Sequence, residues 1–301
     1  MSHTIKHIVI SGGSIWGFYA FGVIHECIQM QVIDIANIQS IYATSVGSIL
    51  GVLLSLKIDI QVIEDYLIKR PWHQLLTKDN ISYSYLQAID ERGIYHKGIF
   101  NECFKPLFKS VDLSLDITMA EFYEYSGIDL HIFVTELNNY KSMDVSHTTH
   151  PDWKLIDAVY ASSALPILFA PIITENDCYI DGGFTMNYPL ELCLASPNVD
   201  KNEVLSLLLG NNDPFEKTRV NNTMNIIDYI TTLFVKLLQQ LIFKSGKDIS
   251  AKCNIPHEIK TQNGHNISLY DFYKLMHFQE ERIKYVEHGK RECREKFGVP
   301  L

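Results

Sequence analysis

The stretch Ile38-Gln39-Ser40-Ile41-Tyr42-Ala43-Thr44-Ser45-Val46-Gly47-Ser48-Ile49-Leu50-Gly51-Val52-Leu53-Leu54-Ser55-Leu56 changes its structural character once, at Ser45. The residues before it suit a buried strand, and the apolar run from Val46 suits a helix. Ala43, Ser45 and Gly47 form a small-x-Ser-x-small pattern, which is what a sharp strand-to-helix corner needs if it is to lift a serine side chain clear of its neighbours. At such a corner the first amides of the helix are unpaired, and the positive end of its dipole favours a developing negative charge. A strand–turn–helix with an incidental serine fits the pentapeptide equally well.

Upstream, a second corner of the same type occurs. Lys6 to Ile10 reads as a buried strand, and it runs through Ser11-Gly12-Gly13-Ser14-Ile15-Trp16-Gly17 into a helix. Glycines admit close approach of a ligand to the backbone, and successive amides at a helix start bind anions. The turn lacks the Gly-Lys-Ser/Thr of a phosphate-binding loop, and its glycine spacing does not fit a dinucleotide fingerprint. Both corners follow strands, and the carboxyl edge of a parallel sheet is where ligands bind in α/β folds. The fold class is therefore α/β with a mainly parallel sheet.

Residues 57–128 read as amphipathic helices, with Tyr83, Tyr85, Tyr95, Phe100 and Phe104 as aromatic filling and no reactive constellation; His73 and His96 read as surface or packing residues. Leu130–Leu137 reads as a central strand and Ser142–His147 as its neighbour. Asp152 is expected to cap a helix over 153–163, followed by the small residues Ala161, Ser162, Ser163 and Ala164. Two short strands, 172–174 and 178–180, lead into Asp181-Gly182-Gly183. A carboxylate on so open a loop suits a general base, and suits a turn-forming aspartate equally. Val204–Leu209 is a further buried strand. Over 224–243, Ile226, Ile227, Ile230, Leu233, Phe234, Leu237, Leu238, Leu241 and Ile242 recur at helical spacing; such a face packs on a core or lies at a lipid interface. The tail after Gly264 reads as charged helix, whose Lys284, Lys290, Arg291, Arg294 and Lys296 suit a solvated face or an anionic-lipid contact. The expected division is residues 1–212 as the catalytic domain and 213–301 as a helical extension packed on or capping it.

The 301 residues carry a net charge of −9, which argues against a nucleic-acid partner. No leader peptide is read at the start of the chain, and no apolar run is long enough for a transmembrane helix, so the expected location is cytoplasmic with peripheral membrane contact. Cys27, Cys103, Cys178, Cys193, Cys253 and Cys293 show no metal-binding spacing and are expected to be free thiols. His147 and His150 lack further ligands at suitable spacing, so no metal is expected.

Taken together and in chain order, the Gly-rich turn Gly12-Gly13-Ser14-Ile15-Trp16-Gly17, the corner Ala43-Thr44-Ser45-Val46-Gly47, and Asp181-Gly182-Gly183 with Asn187 and Pro189 behind it resemble the motifs of the patatin-like phospholipases. Residues 158–166 also resemble the helix that precedes the catalytic aspartate there, so the resemblance runs from about Ile8 to about Gly210. It implies a three-layer α/β/α sandwich and an acyl hydrolase acting on lipid or phospholipid through a Ser45–Asp181 dyad. The amides of Gly12, Gly13 and Ser14 would hold the oxyanion, and no cofactor or metal would be needed. Ser14 replaces the family's third glycine, Trp16 its basic residue, and Ala43 its first elbow glycine. Two rivals fit the same residues. One is a Ser-His-Asp esterase using His257, His265, His277 or His288; the other is a lipid-binding or structural descendant with a weakened or inactive site.

Overall fold

The computed structural model describes residues 4–75, 82, 85–210, 220, 222, 224, 226–261 and 269–298. In chain order they form β1 (His7–Ile10), α1 (Gly17–Gln29), β2 (Ser40–Thr44), α2 (Val46–Ser55), α3 (Ile60–Lys69), α4 (Tyr85–Asp90), β3 (Gly93–Tyr95), α5 (Gly98–Ser110), α6 (Met119–Ser126), β4 (Asp129–Glu136), β5 (Lys141–Val145), α7 (Leu155–Ser162), β6 (Ile167–Phe169), β7 (Ile172–Ile173), β8 (Cys178–Asp181), α8 (Leu190–Ala195), β9 (Val204–Leu208), α9 (Ile226–Cys253), β10 (His257–Lys260), α10 (Leu269–His277) and α11 (Gln279–Phe297).

Alternation along the strands makes the layers, because successive side chains leave a sheet on opposite faces. Ile8, Ile10, Ile41, Ala43, Ile132, Val134, Leu205 and Leu207 pack on one face with residues of α1, α2, α5 and α7. Val9, Tyr42, Phe133, Val204 and Leu208 pack on the other, beneath Leu190 and Cys193 of α8 and the Ile249 and Cys253 turns of α9. The result is the expected α/β/α sandwich. Among the described residues the main sheet has eight strands, with β10-β9-β1-β2-β4 parallel and β5, β7 and β8 antiparallel to their neighbours.

Strand β4 carries two partners along one edge. Ile132 and Phe133 pair with Ala43 and Thr44 of β2 while also pairing with β5. Val134, Thr135 and Glu136 pair with β8 while still pairing with β5. A residue in a sheet has only two edges, so β2 and β8 must lie on the same one, end to end. The last residue of β2, Thr44, stands opposite Phe133, and the last residue of β8, Asp181, stands opposite Val134.

The chain after residue 213 does more than cap this sheet. His257–Lys260, which escaped the sequence reading, joins it as β10, parallel to β9. Helix α11 lies against α1 at backbone contact. A Cβ at Gly289 would stand 2.1 Å from the Tyr19 carbonyl oxygen, and one at Gly22 2.0 Å from that of Val286. The basic run of α11 is not a uniformly solvated face. Buried Lys290 donates to Glu64 at 2.9 Å, Glu64 also faces His25 at 3.1 Å, and Arg294 pairs with Glu26 at 2.8 Å. The helix expected over 153–163 begins at Leu155, and its cap position is Lys154 rather than Asp152, with no side-chain cap. Cysteines are free, Cys27 and Cys293 meeting at 3.1 Å across the α1–α11 contact.

At the amino edge of the sheet, His131 lies between Asp144 (2.8 Å) and Asp129 (3.3 Å), and His147 reaches Asp129 at 3.0 Å while stacking on Tyr123. Burial opposes charge on His131, but the two carboxylates outweigh it and push its pKa up to about 9.

Replacing Gly289 by Val should cost at least 1–3 kcal/mol, on the order expected for overpacking, because backbone rather than a flexible side chain blocks the new atoms. Lys284→Ala on the exposed side of the same helix should change stability by under about 1 kcal/mol. Denaturant midpoints of the two variants, compared with the parent, check this.

Candidate active site

Ser45 sits at the corner between β2 and α2, with φ 54 and ψ −124. A non-glycine residue with that backbone is strained, and strain of this kind marks corners that present a functional side chain. The conformation is held from both sides. The Ser45 amide donates to Ser162 Oγ at 2.8 Å, and the Ser162 hydroxyl in turn donates to the Phe133 carbonyl at 2.6 Å. Ser48 Oγ donates to the Ser45 carbonyl at 2.6 Å. A Cβ on Gly47 would come within 2.5 Å of the Ile10 carbonyl oxygen, so a larger residue would push α2 away from β1. Ala43 lies within β2 and is not among the positive-φ residues, so the loss of the elbow's first glycine needs no backbone adjustment.

Asp181 ends β8 and is buried. Its Oδ2 accepts from Ser45 Oγ at 2.8 Å, and its Oδ1 accepts from the Gly183 amide at 2.7 Å. Its own amide donates to the Ala164 carbonyl at 3.0 Å, and Thr44 Oγ1 donates to the Met186 carbonyl at 2.7 Å, fastening the following loop to the end of β2. Burial pushes the Asp181 carboxyl up to about 6; the hydrogen bonds from Gly183 and Ser45 hold it back from going further. The turn-forming and proton-accepting readings of this aspartate are compatible, since one oxygen serves each.

The Gly-rich turn runs along the same rim. Its Gly12 amide donates to the Asn187 carbonyl at 3.0 Å, so this expected oxyanion donor is already engaged. The amides of Gly13 and Ser14 have no hydrogen-bond partner among the described residues. Ser14 takes the positive φ of 49 that the family's glycine would take freely, and is exposed. Trp16 is buried and edge-on to Tyr19 (5.8 Å), Tyr285 (5.3 Å) and His288 (6.5 Å), so side chains of α11 clamp the turn.

No histidine among the described residues hydrogen-bonds to Ser45 or Asp181. His288 pairs with Glu292 and packs on Tyr19, His277 bonds the Tyr273 carbonyl, and His257 lies on β10 beside Phe297. His265 lies outside the described residues. Sequence reasoning missed Ser162, although the small-residue run that contains it had marked the region for close packing; the Trp16–α11 clamp left no local signal. A carboxylate bonded to a hydroxyl on a strained corner, beside two amides that have no partner among the described residues at the head of a short helical turn, can take up a proton from the hydroxyl as it attacks and can stabilise the resulting anion.

The family model for patatin-like phospholipase matches residues 8–194. An uncharacterized protein of Acanthamoeba polyphaga mimivirus is 28% identical over 262 residues, 82% of this chain and 85% of that protein. A protein of Invertebrate iridescent virus 6 named "probable lipid hydrolase" is 30% identical over 198 residues, 64% of each chain. The fold is similar to that of VipD from Legionella pneumophila, with a TM-score of 0.57 at 15% identity, over 98% of this chain and 67% of that one.

Because the folded state raises the Asp181 pKa above its ordinary value of 3.8, its contribution to stability is fully present in acid and is lost as pH rises through about 6. Asp181→Asn should therefore be more stable than the parent at pH 8, by on the order of 2–3 kcal/mol, and no more stable near pH 4. Denaturant titrations at the two pH values check this.

Proposed function

Because the chain belongs to the patatin-like phospholipase family, a family of lipid hydrolases, we propose that it cleaves fatty-acyl ester bonds with Ser45 as nucleophile and Asp181 as base. The observation carrying this reading is the 2.8 Å hydrogen bond from Ser45 Oγ to a buried, pKa-raised Asp181. A serine hydroxyl at its ordinary pKa is a poor nucleophile and needs a base within hydrogen-bond reach.

In the proposed reaction, Ser45 Oγ attacks the ester carbonyl carbon while its proton passes to Asp181 Oδ2. The carbonyl oxygen takes up the negative charge and is met by the Gly13 and Ser14 amides. Each such donor is typically worth about 10²–10³ in rate. Collapse of the tetrahedral species breaks the bond to the alcohol, which leaves with the proton from Asp181. Water then attacks the acyl-serine, giving its proton to Asp181, and the fatty acid departs as that proton returns to Ser45. The Gly183 amide on Oδ1 keeps the other oxygen turned towards the serine through both halves.

The alternative with a histidine between serine and aspartate loses support, because Ser45 reaches the carboxylate directly. Trp16 supplies no positive charge where the family has one, so phosphate recognition, if the lipid carries a phosphate, rests on other groups. The substrate class proposed is an acyl ester of a lipid met in an aggregate.

Ser45→Ala and Asp181→Asn should each lower hydrolysis of a soluble short-chain ester by at least about 10³-fold while remaining folded. In the parent, kcat/KM should fall about tenfold per pH unit below about 6, as Asp181 becomes protonated, and be flat above about 7. Full activity in either variant, or a flat profile through pH 5, would contradict the assignment.

A further inference from the structure

Helix α9 is 28 residues long, about 42 Å at 1.5 Å per residue, whereas the five residues of β9 that it covers span roughly 17 Å. Its packing fixes which part overhangs. Gly246 sits on Leu208 at the carboxyl end of β9, Ser250 Oγ donates to Glu258 Oε2 at 2.8 Å, and Ile249 and Cys253 pack over the sheet. Since α9 joins the carboxyl end of β9 to the start of the parallel β10, it runs opposite to the strands. The helix before Gly246, roughly 30 Å of it, therefore extends past the carboxyl edge of the sheet, the edge that carries Ser45 and Asp181.

That overhang presents an apolar stripe to solvent. Ile226, Tyr229, Ile230, Leu233 and Leu237 recur at helical spacing, and each is between 45% and 68% exposed. Beyond residue 243 the exposed side chains on the same helix turn polar, with Lys244, Ser245, Lys247 and Asp248. Single exposed apolar residues are ordinary, but five in register on one helix are the pattern of a helix that lies in a lipid interface. The charge distribution points to an uncharged surface. The net charge is −9, Lys290 and Arg294 of α11 are held by Glu64 and Glu26, and the exposed Lys244 and Lys247 of α9 lie beyond the apolar stripe, next to Asp248.

We propose that the first half of α9 is the surface by which this protein docks on zwitterionic lipid bilayers, burying Ile226, Tyr229, Ile230, Leu233 and Leu237 in the headgroup region alongside the end of the sheet that carries Ser45. The inference rests on the hydrolase reading only for its purpose, since the geometry of the overhang stands without it. Attraction is apolar, so binding does not require anionic lipid and is insensitive to salt.

The test uses the full-length chain carrying Ser45→Ala, which separates docking from turnover, and phosphatidylcholine vesicles in a flotation assay. This protein should float with the vesicles equally at 0.05 M and 0.5 M salt. Adding Ile230→Glu and Leu233→Glu, at positions already exposed, should lower the bound fraction at least about tenfold with an unchanged thermal melt. Hydrogen exchange on the Ser45→Ala protein should show vesicle-induced protection over 226–240, a readout that needs no α9 variant. Undiminished flotation of the Glu variant would overturn the proposal. So would protection confined to other elements, binding only to anionic vesicles, or a dimer that the two glutamates dissolve without any lipid binding. Vesicle binding through α9 by a parent that hydrolyses no ester would instead remove the hydrolase reading and leave the docking surface standing.

Discussion

One edge of β4 decides where everything else in this site can be. Along it, β2 runs parallel and stops at Phe133; β8 then arrives from the opposite direction and stops at Val134. Two strands that terminate towards each other on adjacent residues of a shared partner bring their ends within side-chain reach, although the residues lie 136 apart in sequence. The hydroxyl that follows β2 and the carboxylate that ends β8 then meet with no further device than the pleat. The Phe133 carbonyl marks the junction. It accepts from Ser162, which holds the Ser45 amide, and it lies 2.1 Å from where a Cβ on Gly182 would stand. This is why the aspartate must be followed by glycine: a side chain there would force β8 out of line with β2.

The second constraint is the support of the Gly-rich turn. Position 16, basic in the family, is an indole here, and it points inward between α1 and α11 instead of towards a ligand. α11 lies beyond the residues that the family model matches, yet its Tyr285 and His288 flank Trp16 and its Gly289 touches the Tyr19 carbonyl. The left-handed backbone of Ser14 is thus carried by a turn whose far end is packed on both sides. The site pays in conformational strain at Ser14 and Ser45, and the surrounding hydrogen bonds and ring contacts supply the compensation.

How much of this the sequence revealed depends on how local each cause is. The corner at Ser45, the Gly-rich turn and the Asp-Gly-Gly loop announce themselves because small residues at fixed spacing are needed whatever surrounds them. The buried strands β1, β2, β4 and β9 were legible from short, mostly apolar runs. Strand β10 was not, since His257-Glu258-Ile259-Lys260 looks polar until Glu258 is seen accepting hydrogen bonds from Tyr188 and Ser250. The engagement of the Gly12 amide by Asn187 depends on a loop far along the chain, and no local pattern encodes it. The carboxylate–imidazole chain from Asp144 to His147 was missed for the same reason: Asp129 and His131 lie on β4, Asp144 on β5 and His147 in the turn after it, so they look like scattered polar residues in the linear chain. For 224–243 the periodicity was plain, but periodicity alone does not say which face is covered. Ile226, Ile230, Leu233 and Leu237 proved to be open to solvent, while the side chains of Ile227, Phe234, Leu238, Leu241 and Ile242 lie outside the described residues.

The meeting of Ser45 with Asp181 as a working nucleophile and base is the claim on which the account turns, and covalent labelling with a fluorophosphonate reads it directly. Peptide mapping by mass spectrometry should find a single adduct, on Ser45, whose rate of formation falls with protonation below pH about 6 and which does not form in the Asp181→Asn protein. An adduct on any other serine, or labelling of Ser45 that is indifferent to the loss of the carboxylate, would contradict it.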